Sequence, residues 1–127
     1  MSRLHSHAEL IEQMVALRKL SHHHVLPLLG LATDGMRNYC HIMPYMALSL
    51  DKLLRHAEKS RQLRAAFGAQ WLPMACSITE GLDHLHSRGV GHWALKPSNV
   101  MLDPKMGVKL TDYGRSPSWL LYGLGQM

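Results

Sequence analysis

The stretch that most constrains the fold is His92–Gly114, HWALKPSNVMLDPKMGVKLTDYG. An apolar run, Val100-Met101-Leu102, is followed by a polar turn, Asp103-Pro104-Lys105-Met106-Gly107, and then by the alternating Val108-Lys109-Leu110-Thr111. Pro and Gly bracketing a short loop between β-favouring runs predict an antiparallel hairpin. Lys96 and Asn99 precede the hairpin and Asp112 comes after it. Because an antiparallel pair brings its open ends together, the ammonium, carboxamide and carboxylate are expected to converge.

A carboxamide and a carboxylate are oxygen donors suited to Mg²⁺, a hard ion that takes few protein ligands. A neighbouring ammonium favours phosphate. The stretch resembles the catalytic and metal-binding loops of the protein kinases, H-R-D-L-K-P-x-N followed after a hairpin by D-F-G. His92, Leu95, Lys96, Pro97, Asn99, Asp112 and Gly114 match that pattern. Trp93 and Ala94 stand where it has Arg and Asp, and Tyr113 where it has Phe.

A chain of 127 residues suffices for one modest domain with its own core. Its 46% hydrophobic and 18% charged residues argue against disordered and fibrous classes. The formal charge of +5 raises nucleic acid as a partner, but the basic residues are scattered and form no stripe with interleaved aromatics. Cys40 and Cys76, each in an apolar neighbourhood, are expected as buried free thiols in a reducing compartment. The N-terminus lacks the apolar core of a signal peptide, and Val25–Ala32, broken by Pro27 and Gly30, is too short to cross a bilayer. No nucleic-acid or membrane partner is expected, and the cytoplasm or nucleus is the default compartment.

Leu10, Ile11, Met14, Leu17 and Leu20 form a helical stripe within residues 6–20, with Ser6 or Ser21 at its edges. The histidines at 22, 23 and 24 invite a metal, but adjacent residues seldom share a ligating face, and a turn is the expected role. Val25–Gly30 reads as a short buried strand, and residues 33–38 as the turn leading to a second strand, Tyr39–Met43. LRKLSHHHVLPLLG is similar to the kinase pattern L-x-x-L-x-H-x-N-I-V-x-L-x-G. By that resemblance Met43 takes the gatekeeper position and Met46 faces an adenine edge, with Met101 the third nucleotide-contacting residue. The helix Glu that pairs with a strand lysine falls on Gln13, whose carboxamide cannot supply a charge.

Ser49 is a candidate N-cap for a helix beginning at Leu50-Asp51, and residues 55–64 are expected as its solvated end and a loop. Trp71, Met74, Ala75, Ile78, Leu82 and Leu85 predict a long helix over residues 70–87, closed by Gly89. Gly81 inside it costs roughly 1 kcal/mol against Ala. The resemblance extends from about Leu10 to Gly114, and residues 115–127 carry no recognisable activation segment. It implies an α+β, partial protein-kinase-like fold in a single incomplete domain: a small-lobe remnant and hinge start at 1–45, the first part of the large lobe at 46–114, and a tail at 115–127.

For chemistry, the resemblance implies ATP and Mg²⁺ as cofactors, Asn99 and Asp112 as metal ligands, and Lys96 along the transferred phosphate. Ala94 occupies the base position, and a methyl group cannot orient a hydroxyl proton. Base assistance is worth about 10²–10⁴ in rate. The 127 residues also contain no glycine-rich loop and no matching strand lysine. Trp93 is expected to pack against neighbours, and Tyr113 to stack with Leu17, Leu28 and His92, its hydroxyl needing a partner. The expected function is that of a fragment of a Ser/Thr-like kinase domain, silent in transfer. The alternatives are a pseudokinase-type scaffold binding ATP weakly or not at all, and a truncated product not stable alone. A protein partner, or the remainder of a kinase domain, would complete it.

Overall fold

The computed structural model describes residues 7–35 and 39–114. The expectations for Ser6, for the middle of the 33–38 turn and for the 115–127 tail lie outside the described residues. Helix α1 spans His7–Arg18; strands β1 (Gly30–Thr33) and β2 (Tyr39–Ile42) form a hairpin; β3 (Leu48–Ser49) leads into α2 (Leu50–Ala57). Helix α3 covers Arg61–Ser87, and a 3₁₀ turn at Pro97–Asn99 precedes β4 (Val100–Leu102) and β5 (Val108–Leu110). The α+β class and the element order agree with the resemblance.

The β4–β5 hairpin forms with the expected partners, Val100 opposite Leu110 and Leu102 opposite Val108. Asp103 closes its turn: its Oδ1 accepts the backbone N–H of Lys105 at 2.8 Å and of Gly107 at 2.7 Å. A third strand was not expected. Leu48 and Ser49 pair with Leu102 and Met101, giving the order β3-β4-β5. On the other edge of β5, Leu110 donates to the His24 carbonyl and accepts from the Leu26 N–H, both at 2.9 Å, through one parallel bridge at Val25.

That bridge corrects the strand expected over Val25–Gly30. Val25, Leu26 and Leu28 are buried as predicted, but the pairing with β5 is a single bridge, Pro27 has no N–H to continue a ladder, and the next pairing bond runs from the Leu29 N–H to the Ile42 carbonyl at 2.8 Å. The first hairpin strand begins instead at Gly30, opposite Ile42.

Helix α2 is capped as predicted, the Ser49 hydroxyl accepting the Lys52 N–H at 3.1 Å. Helix α3, however, starts nine residues earlier than its expected start, since the Ser60 hydroxyl accepts from Leu63 at 3.3 Å and begins the helix at Arg61. Its inner line runs through Leu63, Phe67, Met74, Ile78, Gly81 and Leu85. Trp71 lies about 60° round the helix from Met74 and is 53% exposed, so it edges the stripe and does not anchor it.

The two cysteines are free but exposed, contrary to expectation. Cys76 sits two residues after buried Met74, about 200° round the helix and on its outer side. Cys40 shares with half-exposed Ile42 the outward face of a two-stranded sheet. No described helix is long and apolar enough to cross a membrane.

The core gathers Leu17 and Leu20 of α1, Val25, Leu28, Leu53, Met74, Leu85, the inward residues of β4 and β5, and Tyr113. Gly81 explains how α3 reaches it. A Cβ built there would come within 3.0 Å of both the His24 carbonyl oxygen and Leu110 Cδ1. The helix-propensity cost of glycine is offset by that approach. Gly81→Val is therefore expected to destabilise the chain by about 1–3 kcal/mol through overpacking, read as a lower urea midpoint with unchanged helix content.

Candidate functional site

The loop from His92 to Asn99 is shaped by a left-handed residue and a proline. Trp93 adopts φ 68°, uncommon for a bulky side chain, and the chain turns so that the Ala94 N–H donates to His92 Nδ1 at 3.2 Å. Trp93 is 50% exposed. Its indole packs over Gly91, where an added Cβ would lie 2.5 Å from Nε1, so the expected packing is confined to one face. Lys96 is extended, as a residue before proline prefers, and Pro97 opens the 3₁₀ turn. The Asn99 N–H closes that turn on the Lys96 carbonyl at 2.9 Å.

Asn99 is buried, and its carboxamide N–H donates to the Ala94 carbonyl at 2.8 Å. A bond to a carbonyl fixes the amide orientation and leaves Oδ1 as the free acceptor. The Asn99 carbonyl accepts the Thr111 N–H at 3.0 Å, so the hairpin ladder continues one pair beyond Val100–Leu110 and delivers Asp112 beside the turn that holds Asn99. Lys96 is exposed at the start of that turn, and Asp112 is half-buried with φ 56°.

Of the methionines assigned to nucleotide, Met43 is joined to this end of the hairpin, its sulfur accepting the Thr111 hydroxyl at 3.1 Å. Met101 is half-buried on β4. Met46 is half-buried in the segment between β2 and β3, beside Tyr45, which is 89% exposed. Thr111 was not singled out by sequence reasoning. The available signal was a hydroxyl immediately before Asp112, at the register position opposite Asn99.

The turn after β5 is held on three sides. The Gly114 N–H donates to the Gly91 carbonyl at 3.1 Å, the Gln13 carboxamide donates to the Gly114 carbonyl at 2.8 Å, and the Tyr113 hydroxyl donates to the Leu26 carbonyl at 2.5 Å. Gly114 is required twice over, by φ 76° and by Leu17, whose Cδ2 would lie 2.8 Å from an added Cβ. Gln13 thus ties α1 to the turn with a donor that a glutamate lacks.

Tyr113 is fully buried in one cluster with Leu17 and Leu28, and its ring meets His92 edge-on at 6.5 Å. The hydroxyl predicted to need a partner has one. Burial pushes the phenol up to about 12. Burial also lowers the His92 pKa, an effect partly offset by the Thr111 backbone and the Asp112 carboxylate. A neutral imidazole suits its role as acceptor from Ala94.

Tyr113→Phe leaves the buried Leu26 carbonyl without this donor and is expected to cost about 1–3 kcal/mol in denaturant unfolding. The phenol also sets a pH window. Its pKa is higher in the folded chain than the ordinary value of 10.0, so the stabilisation is complete below that value and is lost as pH rises toward about 12. Unfolding measured across alkaline pH should show this loss in the unmodified chain and a flatter profile in Tyr113→Phe.

The protein kinase domain family model matches residues 2–120. Cyclin-dependent kinase 1 of Encephalitozoon cuniculi is 28% identical over 108 residues, covering 84% of this chain and 35% of that protein. Human mitogen-activated protein kinase 12 is 29% identical over 103 residues, 77% of this chain and 26% of the kinase. The melanoma receptor tyrosine-protein kinase of Xiphophorus maculatus is 32% identical over 110 residues, 85% of this chain and 9% of that protein. The chain spans about a third or less of the length of these curated relatives. With the loop, hairpin and turn formed in one register and the family matched across nearly the whole sequence, the chain belongs to the protein kinase domain family.

Proposed function

We propose that this chain is a kinase-family module that keeps the metal- and phosphate-holding half of the site and does not transfer phosphoryl groups. The observation that carries the reading is Ala94. Its N–H and carbonyl are fixed by His92 and Asn99, so the loop is built and held, yet a methyl group occupies the position of the base. The donor set supports the retained half. Asn99 Oδ1 and the Asp112 carboxylate are hard oxygens of the kind that suits Mg²⁺, and the bond from the Thr111 N–H to the Asn99 carbonyl ties together the two stretches that carry them. Lys96, exposed at the start of the same turn, offers an ammonium for phosphate.

When bound, Mg²⁺ would neutralise charge on a nucleotide's phosphates. The protein's part is to hold two oxygens and an ammonium, with Met43, Met46 and Met101 offering soft apolar surface for a base. The loop sequence LKPSN favours the Ser/Thr type. With binding retained and transfer lost, the role left to the chain is regulatory: presenting a folded surface to a protein partner.

Thermal denaturation with ATP, with and without Mg²⁺, tests the retained half. A Mg²⁺-dependent rise in Tm that disappears in Asp112→Ala is expected, whereas no rise would leave scaffolding without nucleotide. Radiolabelled ATP and a generic protein substrate test the lost half. No transfer above background is expected, and robust transfer by the unmodified chain would overturn the reading.

A further inference from the structure

Four imidazoles cluster away from the candidate site. His22, His23 and His24 occupy the turn between α1 and the Val25 bridge, and His84 comes from α3. The His22 ring stacks on His84 with centroids 5.0 Å apart and an interplanar angle of 29°, and lies 4.8 Å from His23 and 5.5 Å from His24. Rings that stack in this way do not aim their nitrogens at one point.

The hydrogen bonds show which form of His22 the turn requires. Its Nδ1 accepts the His24 backbone N–H at 3.1 Å. A nitrogen that accepts must carry a lone pair, so the ring is neutral with its proton on Nε2. Across the stack, His84 Nε2 is buried without a hydrogen-bond partner, so that nitrogen makes no bond to His22 and the two rings meet as stacked plates.

The turn is a joint between layers. His24 bonds Val108 and Leu110 of β5, Lys109 of β5 donates to the His23 carbonyl at 2.8 Å, and Gly81 lets α3 close on the His24 backbone. The titratable and charged groups around His22 are therefore His23 and His24 from its own turn, Glu80 and His84 from α3, and Lys109 from β5. Glu80 is the one carboxylate in this set, 3.6 Å from His24 Nε2.

We propose that the His22–His84 stack is a pH-sensitive clasp, holding the turn after α1 to helix α3 while His22 is neutral and releasing it when His22 takes a proton. The proton goes to Nδ1, the only ring nitrogen with a lone pair. There it replaces the acceptor for His24 with a second N–H and sets a cation against three imidazoles. Burial, then His23, His84 and His24, already hold His22 below its ordinary 6.5, with Glu80 opposing them. A folded pKa below the unfolded one means that the open form takes the proton first. The clasp's stabilisation is thus present above 6.5 and is lost as pH falls through the lower folded value.

The test uses the 127-residue chain, with the imidazole Cε1–H resonances and the exchange of the His24 amide read by NMR. We expect His22 to titrate below 6.5, and His24 protection to fall at least about threefold between about pH 7.5 and about pH 5.5. His22→Asn offers Oδ1 to the same N–H and cannot be protonated; it should keep protection at neutral pH and lose the acid response. A His22 midpoint at or above 6.5, or an equal acid loss in the variant, overturns the proposal. If the variant does not fold, the titration of the unmodified chain decides alone.

Discussion

Both edges of one strand residue, Leu110, are engaged, and the rest of the structure depends on this. On one side it faces Val100 in the hairpin; on the other its backbone bonds His24 and Leu26. Its side chain is fully buried and touches the line of α3 at Gly81. Three separate parts of the sequence therefore share a single backbone position. The residues after Leu110 inherit that fixity: Thr111 meets Asn99 and Met43, Asp112 turns left-handed, and Tyr113 reaches back to Leu26. The candidate site is held at the end of a strand engaged on both edges, where small displacements matter to ligand geometry.

The parts of this arrangement legible in the sequence are those fixed by neighbours in the chain. Pro104 and Gly107 announce the hairpin turn, and Ser49 announces α2, because turn and cap chemistry act over three or four residues. The first turns of α3 were hidden by Arg61 and Arg64, a charge run that reads as loop. Their helix is revealed only by Ser60 acting as cap and by Leu63 and Phe67, four residues apart, meeting the core. β3 could not be read at all, since two residues become a strand only when another strand offers an edge.

Side-chain placement was less legible than backbone. An apolar neighbourhood in sequence says little about burial on a helix, where residues two apart point in opposite directions, as Met74 and Cys76 do. Gln13 could be assigned a position by pattern but not a partner, because its bond to Gly114 spans the described chain. The hydroxyl of Tyr113 is the counterexample. Burial of the ring was expected, which made an acceptor necessary, and the Leu26 carbonyl meets that need.

The exposed thiols have a practical side. Cys40 rides on the hairpin and Cys76 on the long helix, they are the only two cysteines in the sequence, and neither is in a disulfide. Reagents that alkylate sulfur can therefore label the two layers of the molecule without any mutation, giving a native pair of attachment points for spin or fluorescent probes. The chain carries its own ruler, spanning the joint between the small hairpin layer and the helical layer.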